Sequence, residues 1–425
     1  MINFPRIALV AALLAGASGV VMVPPAAAKK KEEAPAGPKM SPEFIKAAQP
    51  AQAALKGTDT AAMESTVAAA EAAAKTDGDK YFAGHMRVQV FQATMKANPQ
   101  ADQSALGPTL SALAANPTTP QTEKAQYSYF LGQFAAKKRD YPAAIRYYSQ
   151  ARDLGYSEPQ LPLLIAQTRI DSGDVAGGTA DLSTIIKTSE ASGKPAPESY
   201  YRYALGQTVK LKNRSASVDW LTKWVSAYPT TKTWHDALYI YGLQGKDSLA
   251  TLDKGQTVDM FRLMRQNKAL DQYGYEEYAQ KVLDSGLPDE AKTVIAEGRT
   301  TGALPAGNAN ATAINAEAVK GIASEGSLGS LSTKANASAT GNLASQTADA
   351  YLGKGDYTSA IPLYRAALSK GVGAKVDDVN THLGIALALS GDKAGARTAF
   401  AAVTGPIRAD IAKFWTVWLD HPATA

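Results

Sequence analysis

The chain has 425 residues, no cysteine, four histidines and a formal net charge of +5. The absence of cysteine excludes disulfides, thiolate metal sites, cysteine nucleophiles and the cysteine-linked lipid of a bacterial lipoprotein. So small a charge, with no long basic tract and no interleaving of arginine with aromatic residues, argues against nucleic acid as a partner.

The chain begins with a short positive start, Arg6 and the amino terminus. Residues 7–23 form an apolar run of 17 residues, Pro24 and Pro25 break it, and Ala26-Ala27-Ala28 offers the small-x-small pattern read by signal peptidase. A signal peptide is expected over residues 1–28, with Lys29 as the first mature residue and a periplasmic or secreted product. A run of this length is at the lower edge of what crosses a bilayer, so a retained anchor is the alternative. No later stretch is apolar enough to span, so no stable membrane span is expected after cleavage. Residues 29–40 mix Lys29 to Lys31 with Glu32, Glu33 and Pro35, which reads as a flexible linker.

Residues 41–124 keep a helical period, with helices expected at 42–55, 60–75, 80–96 and 101–114. They lack the small-residue spacing seen from residue 125 onward. In residues 125–298 a large-small pair recurs: Leu131-Gly132, Ile165-Ala166, Leu205-Gly206 and Tyr278-Ala279. Residues 343–425 add Thr347-Ala348 and Leu383-Gly384. Twelve residues after the small member of five of these pairs stands a second small residue: Ala144, Gly178, Ala291, Ala360 and Ala396. Larger residues come next on the same helical face, for example Tyr148, Leu182, Ile295, Tyr364 and Phe400. Turns fall at Gly173-Asp174, Gly286-Leu287, Gly355-Asp356 and Gly391-Asp392, where glycine can end a helix in the left-handed conformation. The pair at Leu205-Gly206 is less regular; its second helix carries Val218, Trp220, Leu221 and Trp224. Two degenerate helices are expected at 234–243 and 258–265, and two more at 311–322 and ending near Asn336. Residues 299–342 are low in complexity. Period-two alternation is almost absent, so essentially no β-sheet is expected.

This pattern resembles the tetratricopeptide repeat, with its large-small pair, Gly-Asp-Tyr turn, alanine, aromatic residue and alanine. The resemblance covers residues 125–298 and 343–404. It implies an all-α solenoid of stacked antiparallel helical hairpins, right-handed, and a concave face that docks a protein or peptide. By the register of the family, the residue after the small position lies on that face, and in four of the units it is glutamine: Gln133, Gln167, Gln207 and Gln280. Tyr129, Tyr203, Tyr200, Tyr273, Lys137 and Lys210 neighbour it. Glutamine offers both a donor and an acceptor to a peptide backbone, and tyrosine offers contact area with little entropy to lose. The competing reading is that these are helix-surface and packing residues. Residues Tyr129, Leu163, Tyr203 and Glu276 stand where the lysines of the family's carboxylate clamp would be, so acidic-tail recognition is not expected.

Chemistry is sparse. No two of His85, His235, His382 and His421 share a helical turn, so no metal site is expected. Gly242 to Asp247 is too short for a phosphate loop. Glu64-Ser65 and Glu198-Ser199 show the dipeptide that carries the acid in murein-cleaving transglycosylases with superhelical domains, but neither precedes a lysozyme-like segment. A non-catalytic scaffold for an unidentified protein or peptide is therefore expected, with no cofactor. The alternatives are an envelope-assembly accessory touching polysaccharide and, least, a murein-cleaving enzyme.

Overall fold

The computed structural model describes residues 39–324 and 326–424. The expected signal peptide, and the linker as far as residue 38, lie outside these residues. Among the described residues there are 21 α-helices and no strand. An isolated bridge between Thr230 and Thr424 is the one β-type pairing there. Within each unit most consecutive helices pack on each other, consistent with the all-α, solenoid-class architecture that the repeats predict. The chain divides into two compact units, one ending at Ile185 and the other starting at Ile186.

The first unit opens with α1 (Pro42–Ala54), α2 (Thr60–Ala73), α3 (Asp77–Ala97) and α4 (Gly107–Ala115). They match the four expected helices, except that the last is preceded by a separate 3-10 turn, Gln103–Leu106. Phe44, Met63, Val67, Met86 and Val90 make the core of α1 to α3. Buried Asp79 pins the entry of the chain: its carboxylate accepts from the Ser41 amide at 2.7 Å, the Ser41 hydroxyl at 2.9 Å and the Thr76 amide at 3.0 Å. Burial alone would raise its carboxyl, but these donors hold it well below the usual range. The sequence pattern showed no small-residue contact here, yet there is one. A Cβ on Gly84 of α3 would meet Leu113 of α4 at 2.6 Å.

The repeats continue the unit as α5 (Gln121–Lys137), α6 (Tyr141–Asp153), α7 (Leu161–Asp171) and the first part of α8 (Val175–Ala191), whose residues from Ile186 onward belong to the second unit. Gly132 is buried, and a Cβ on it would stand 2.5 Å from the Tyr148 ring, so the missing side chain is what lets α6 lie on α5. In the next hairpin a Cβ on Gly178 would meet the Ala166 carbonyl at 2.6 Å. The turn glycine Gly173 has φ +97°, and Asp174 then caps α8 by accepting from the Gly177 amide at 2.9 Å. The corresponding turn between α5 and α6 uses Arg139 at φ 59° instead of glycine, which is why it carries no glycine signal.

The second unit contains α9 (Glu198–Lys210), α10 (Arg214–Ala227), α11 (Thr231–Leu238), α12 (Lys254–Gln266), α13 (Gln272–Leu283) and α14 (Pro288–Thr300). It continues with α15 (Ala309–Ser324), α16 (Leu328–Ala337), α17 (Asn342–Lys354), α18 (Tyr357–Lys370), α19 (Val376–Leu389), α20 (Lys393–Ala401) and α21 (Pro406–Trp418). The expected small positions Ala279, Ala291, Ala348, Ala360 and Ala396 are fully buried. The pair Leu205-Gly206 is a correction. The buried stripe of α9 runs Tyr201, Ala204, Leu205 and Thr208. That spacing turns Gly206 to solvent, where an added Cβ meets nothing. Here the helices meet instead at Ala204 and through a hydrogen bond from the Ser217 hydroxyl to Thr208 at 3.1 Å.

In an open repeat stack each hairpin touches only its neighbours. The second unit departs from this. Its last helix, α21, packs on α10 and α12 as well as on α19 and α20. The tail beyond it is tied down: Trp234 Nε1 donates to the His421 carbonyl at 3.0 Å, and the Ala423 amide donates to Asn267 Oδ1 at 2.9 Å. The array in this unit therefore closes on its own earlier helices.

Candidate functional site

On α5, Tyr129, Gln133 and Lys137 are spaced by four and share one face. The Tyr129 ring is half-buried, 4.8 Å from the ring of Tyr156 and 6.0 Å from that of Tyr148. The Gln133 amide lies beside the Tyr129 hydroxyl, and Lys137 is exposed, with Nζ 3.6 Å from an Asp102 carboxylate oxygen. Gln133 and Gln167 are both partly exposed, on separate hairpins of the first unit. In the second unit Tyr203 and Gln207 are partly exposed on α9, with Lys210 exposed one turn further on and Tyr200 partly exposed one turn before. Gln280 on α13 is exposed and donates to Oδ1 of Asp284, which caps the end of that helix, at 2.7 Å. Tyr273 is 58% exposed.

The most concentrated chemistry is elsewhere, and sequence reasoning missed it. Five helices of the second unit send charges into one buried cluster. Arg262 of α12 donates from Nε to Glu290 Oε1 at 2.9 Å and from Nη2 to Oε2 at 2.7 Å, a two-pronged pair with α14. Its Nη1 donates to Asp259 Oδ1 at 3.0 Å, and the Tyr278 hydroxyl donates to Glu290 Oε1 at 2.5 Å. Asp259 also pairs with Arg408 of α21 and, at 3.3 Å, with His382 Nε2 of α19. His382 Nδ1 lies 2.7 Å from an Asp349 oxygen of α17. Asp259, Arg262, Glu290 and Arg408 are all nearly inaccessible. The signal available was local. Asp259 and Arg262 stand among Val258, Met260, Phe261, Leu263 and Met264, where a solvated charge has no room.

Burial raises the Asp259 carboxyl, but the charges of His382 and Arg408 outweigh it and hold the group ionised. Burial likewise lowers His382, and Asp259 and Asp349 outweigh it, raising the imidazole from 6.5 to about 9. The stabilisation from protonated His382 is thus complete below about pH 6.5 and is lost as pH rises through about 9. Its full size is on the order of 3 kcal/mol. Denaturant midpoints measured from pH 6 to pH 10 should fall across that window, and the fall should be largely absent in His382→Gln. An equal slope in both proteins would mean that His382 is neutral in the fold.

Beside this cluster is a cavity of about 260 Å³ lined by Arg262, Arg265, Tyr278, Glu290, Lys354 and Tyr357, among others. The two carboxylates singled out by sequence are engaged elsewhere. Glu64 pairs with Arg87, which also holds Glu71. Glu198 accepts from Trp224 Nε1 at 3.0 Å. Among the described residues no helix is long and apolar enough to cross a membrane.

Residues 346–410 match the tetratricopeptide repeat family model. That stretch holds the pairs Thr347-Ala348 and Leu383-Gly384 with their partners Ala360 and Ala396. No curated protein matches the chain. Among solved structures, the chain is similar to a tetratricopeptide repeat protein from Parabacteroides merdae ATCC 43184. Identity is 12%, coverage is 82% of this chain and 100% of that one, and the TM-score is 0.23. It is also similar to the APC/C hetero-tetramer Cut9–Hcn1, at 10% identity, 88% and 96% coverage and a TM-score of 0.17.

Proposed function

We propose that this tetratricopeptide-type repeat protein is a non-catalytic scaffold that binds a protein or peptide in the periplasm. The observation that carries the reading is the line of Tyr129, Gln133 and Lys137 on α5. It puts aromatic area, an amide and a cation on one face, all reaching the surface. Gln167, Gln207 and Gln280 also reach the surface, in hairpins whose neighbouring small residues are mostly buried. The periplasmic address rests on Arg6, the apolar run 7–23 and Ala26-Ala27-Ala28. A second reading, an envelope accessory that touches polysaccharide, is favoured by the largely exposed ring of Tyr273, which offers a stacking surface for a sugar.

Crosslinking in intact cell envelopes tests the proposal. Recovery of the crosslinked partner should fall when Gln133 and Gln167 are both changed to alanine, since each lost hydrogen bond is worth about 1 kcal/mol. Folding should be unchanged, because alanine suits a helix at least as well. Full recovery with the double variant would move the docking face away from these residues. The crosslinked protein should begin at or near Lys29; an intact Met1 in the membrane fraction would instead mean a retained anchor.

A further inference from the structure

The cavity beside the charged cluster has a one-sided inventory of charge. Glu290 is the one acid in its lining, and both of its oxygens are already taken by Arg262 and Tyr278. A Cβ on Gly353 of α17 would stand 2.9 Å from Glu290 Oε2, so α17 closes over that carboxylate. Gln266 and Thr293 can donate or accept, and the charged groups that the lining still offers are donors. Arg265 spends its Nε on Glu297 Oε2 at 2.7 Å, which leaves the Nη1 and Nη2 pair of its fork. Lys354 is exposed at the end of α17, and Tyr357 stands at the start of α18, two residues beyond the left-handed turn at Gly355. These donors belong to three different helices and so reach the cavity from different directions.

We propose that this cavity binds a tetrahedral oxyanion, a phosphate or the phosphoryl group of a larger ligand, between Arg265, Lys354 and Tyr357. A guanidinium fork and an ammonium are the usual donors to such a group. Donors arriving from several sides suit four tetrahedral oxygens better than the flat edge of a carboxylate. At about 260 Å³ the cavity lies just under the size of whole-ligand pockets, so it takes a group and the atoms next to it. The site is independent of the docking face on α5 and stands whether or not that face binds a peptide.

The test is calorimetric titration of the full chain with sodium phosphate, ionic strength being held with chloride. Saturable one-site binding is expected, weakened about tenfold in Lys354→Met and in Arg265→Met. Lys354→Met is the decisive variant, because Lys354 is exposed and its loss leaves the Arg265–Glu297 pair intact; circular dichroism and thermal unfolding check that the fold is kept. Phenyl phosphate binding tighter than inorganic phosphate identifies the ligand as a phosphomonoester; equal or weaker binding identifies the free ion. No saturable heat with phosphate, saturation by acetate at the same affinity, or unchanged binding in folded Lys354→Met would each overturn the assignment.

Discussion

Replacing Arg262 with alanine is expected to destabilise the second unit by about 3–5 kcal/mol, the cost of stranding buried charges. Arg262 holds both oxygens of Glu290 and one of Asp259, and both acids are nearly inaccessible. Without it, Glu290 keeps only the Tyr278 hydroxyl, and Asp259 keeps Arg408 and His382. The loss should register as a lower urea midpoint and as reduced hydrogen-exchange protection in α12, α14 and α21, whose packing this cluster spans. Replacing Arg262 and Glu290 together with methionine should cost much less, since no charge of that pair is then left alone. A single-variant loss below about 1 kcal/mol would mean that water reaches these carboxylates.

The contrast between this cluster and the hairpins explains what the sequence made legible. A hairpin is a local object. Its two helices are joined by a short turn, so the residues that must be small stand at a fixed separation, and Gly132, Ala144, Ala360 and Gly384 advertise it directly. Even the degenerate pieces kept enough periodicity to be placed: the expected helix at 311–322 is part of α15, and the one ending near Asn336 is α16. Gly206 failed because α9 buries a stripe that passes beside it, and a spacing pattern cannot weigh one face of a helix against the next. The charged cluster was out of reach for a different reason. Asp259 and Arg408 are 149 residues apart and meet because α21 comes back onto α12. No repeat of about 34 residues encodes that return. The docking residues fall between these cases. Gln133 and Gln167 reach the surface. What they bind depends on chemistry outside the chain.

Replacing Ala360 with leucine tests whether the small positions act as hairpin contacts. Ala360 is fully buried at the start of α18, as are Ala348 and Tyr364 of the same hairpin. Tyr364 cannot yield easily, because its hydroxyl donates to an Asp349 oxygen at 2.7 Å, and that carboxylate also faces His382. Three added carbons must therefore push α17 and α18 apart or force side chains out of their rotamers, at a cost of about 1–3 kcal/mol. The same reasoning applies in the first unit to Ala144, which is fully buried in the hairpin whose Gly132 lies against Tyr148. Repeat architectures lose stability near the altered hairpin, since most contacts are between neighbours. Hydrogen exchange in Ala360→Leu should accelerate in α17 to α19, and α1 to α4 should keep their protection. In Ala144→Leu the acceleration should instead centre on α5 to α7. Equal loss of protection across both units in either variant would show that these alanines sit in a single cooperative core, and the hairpin reading of the small-residue spacing would then be wrong.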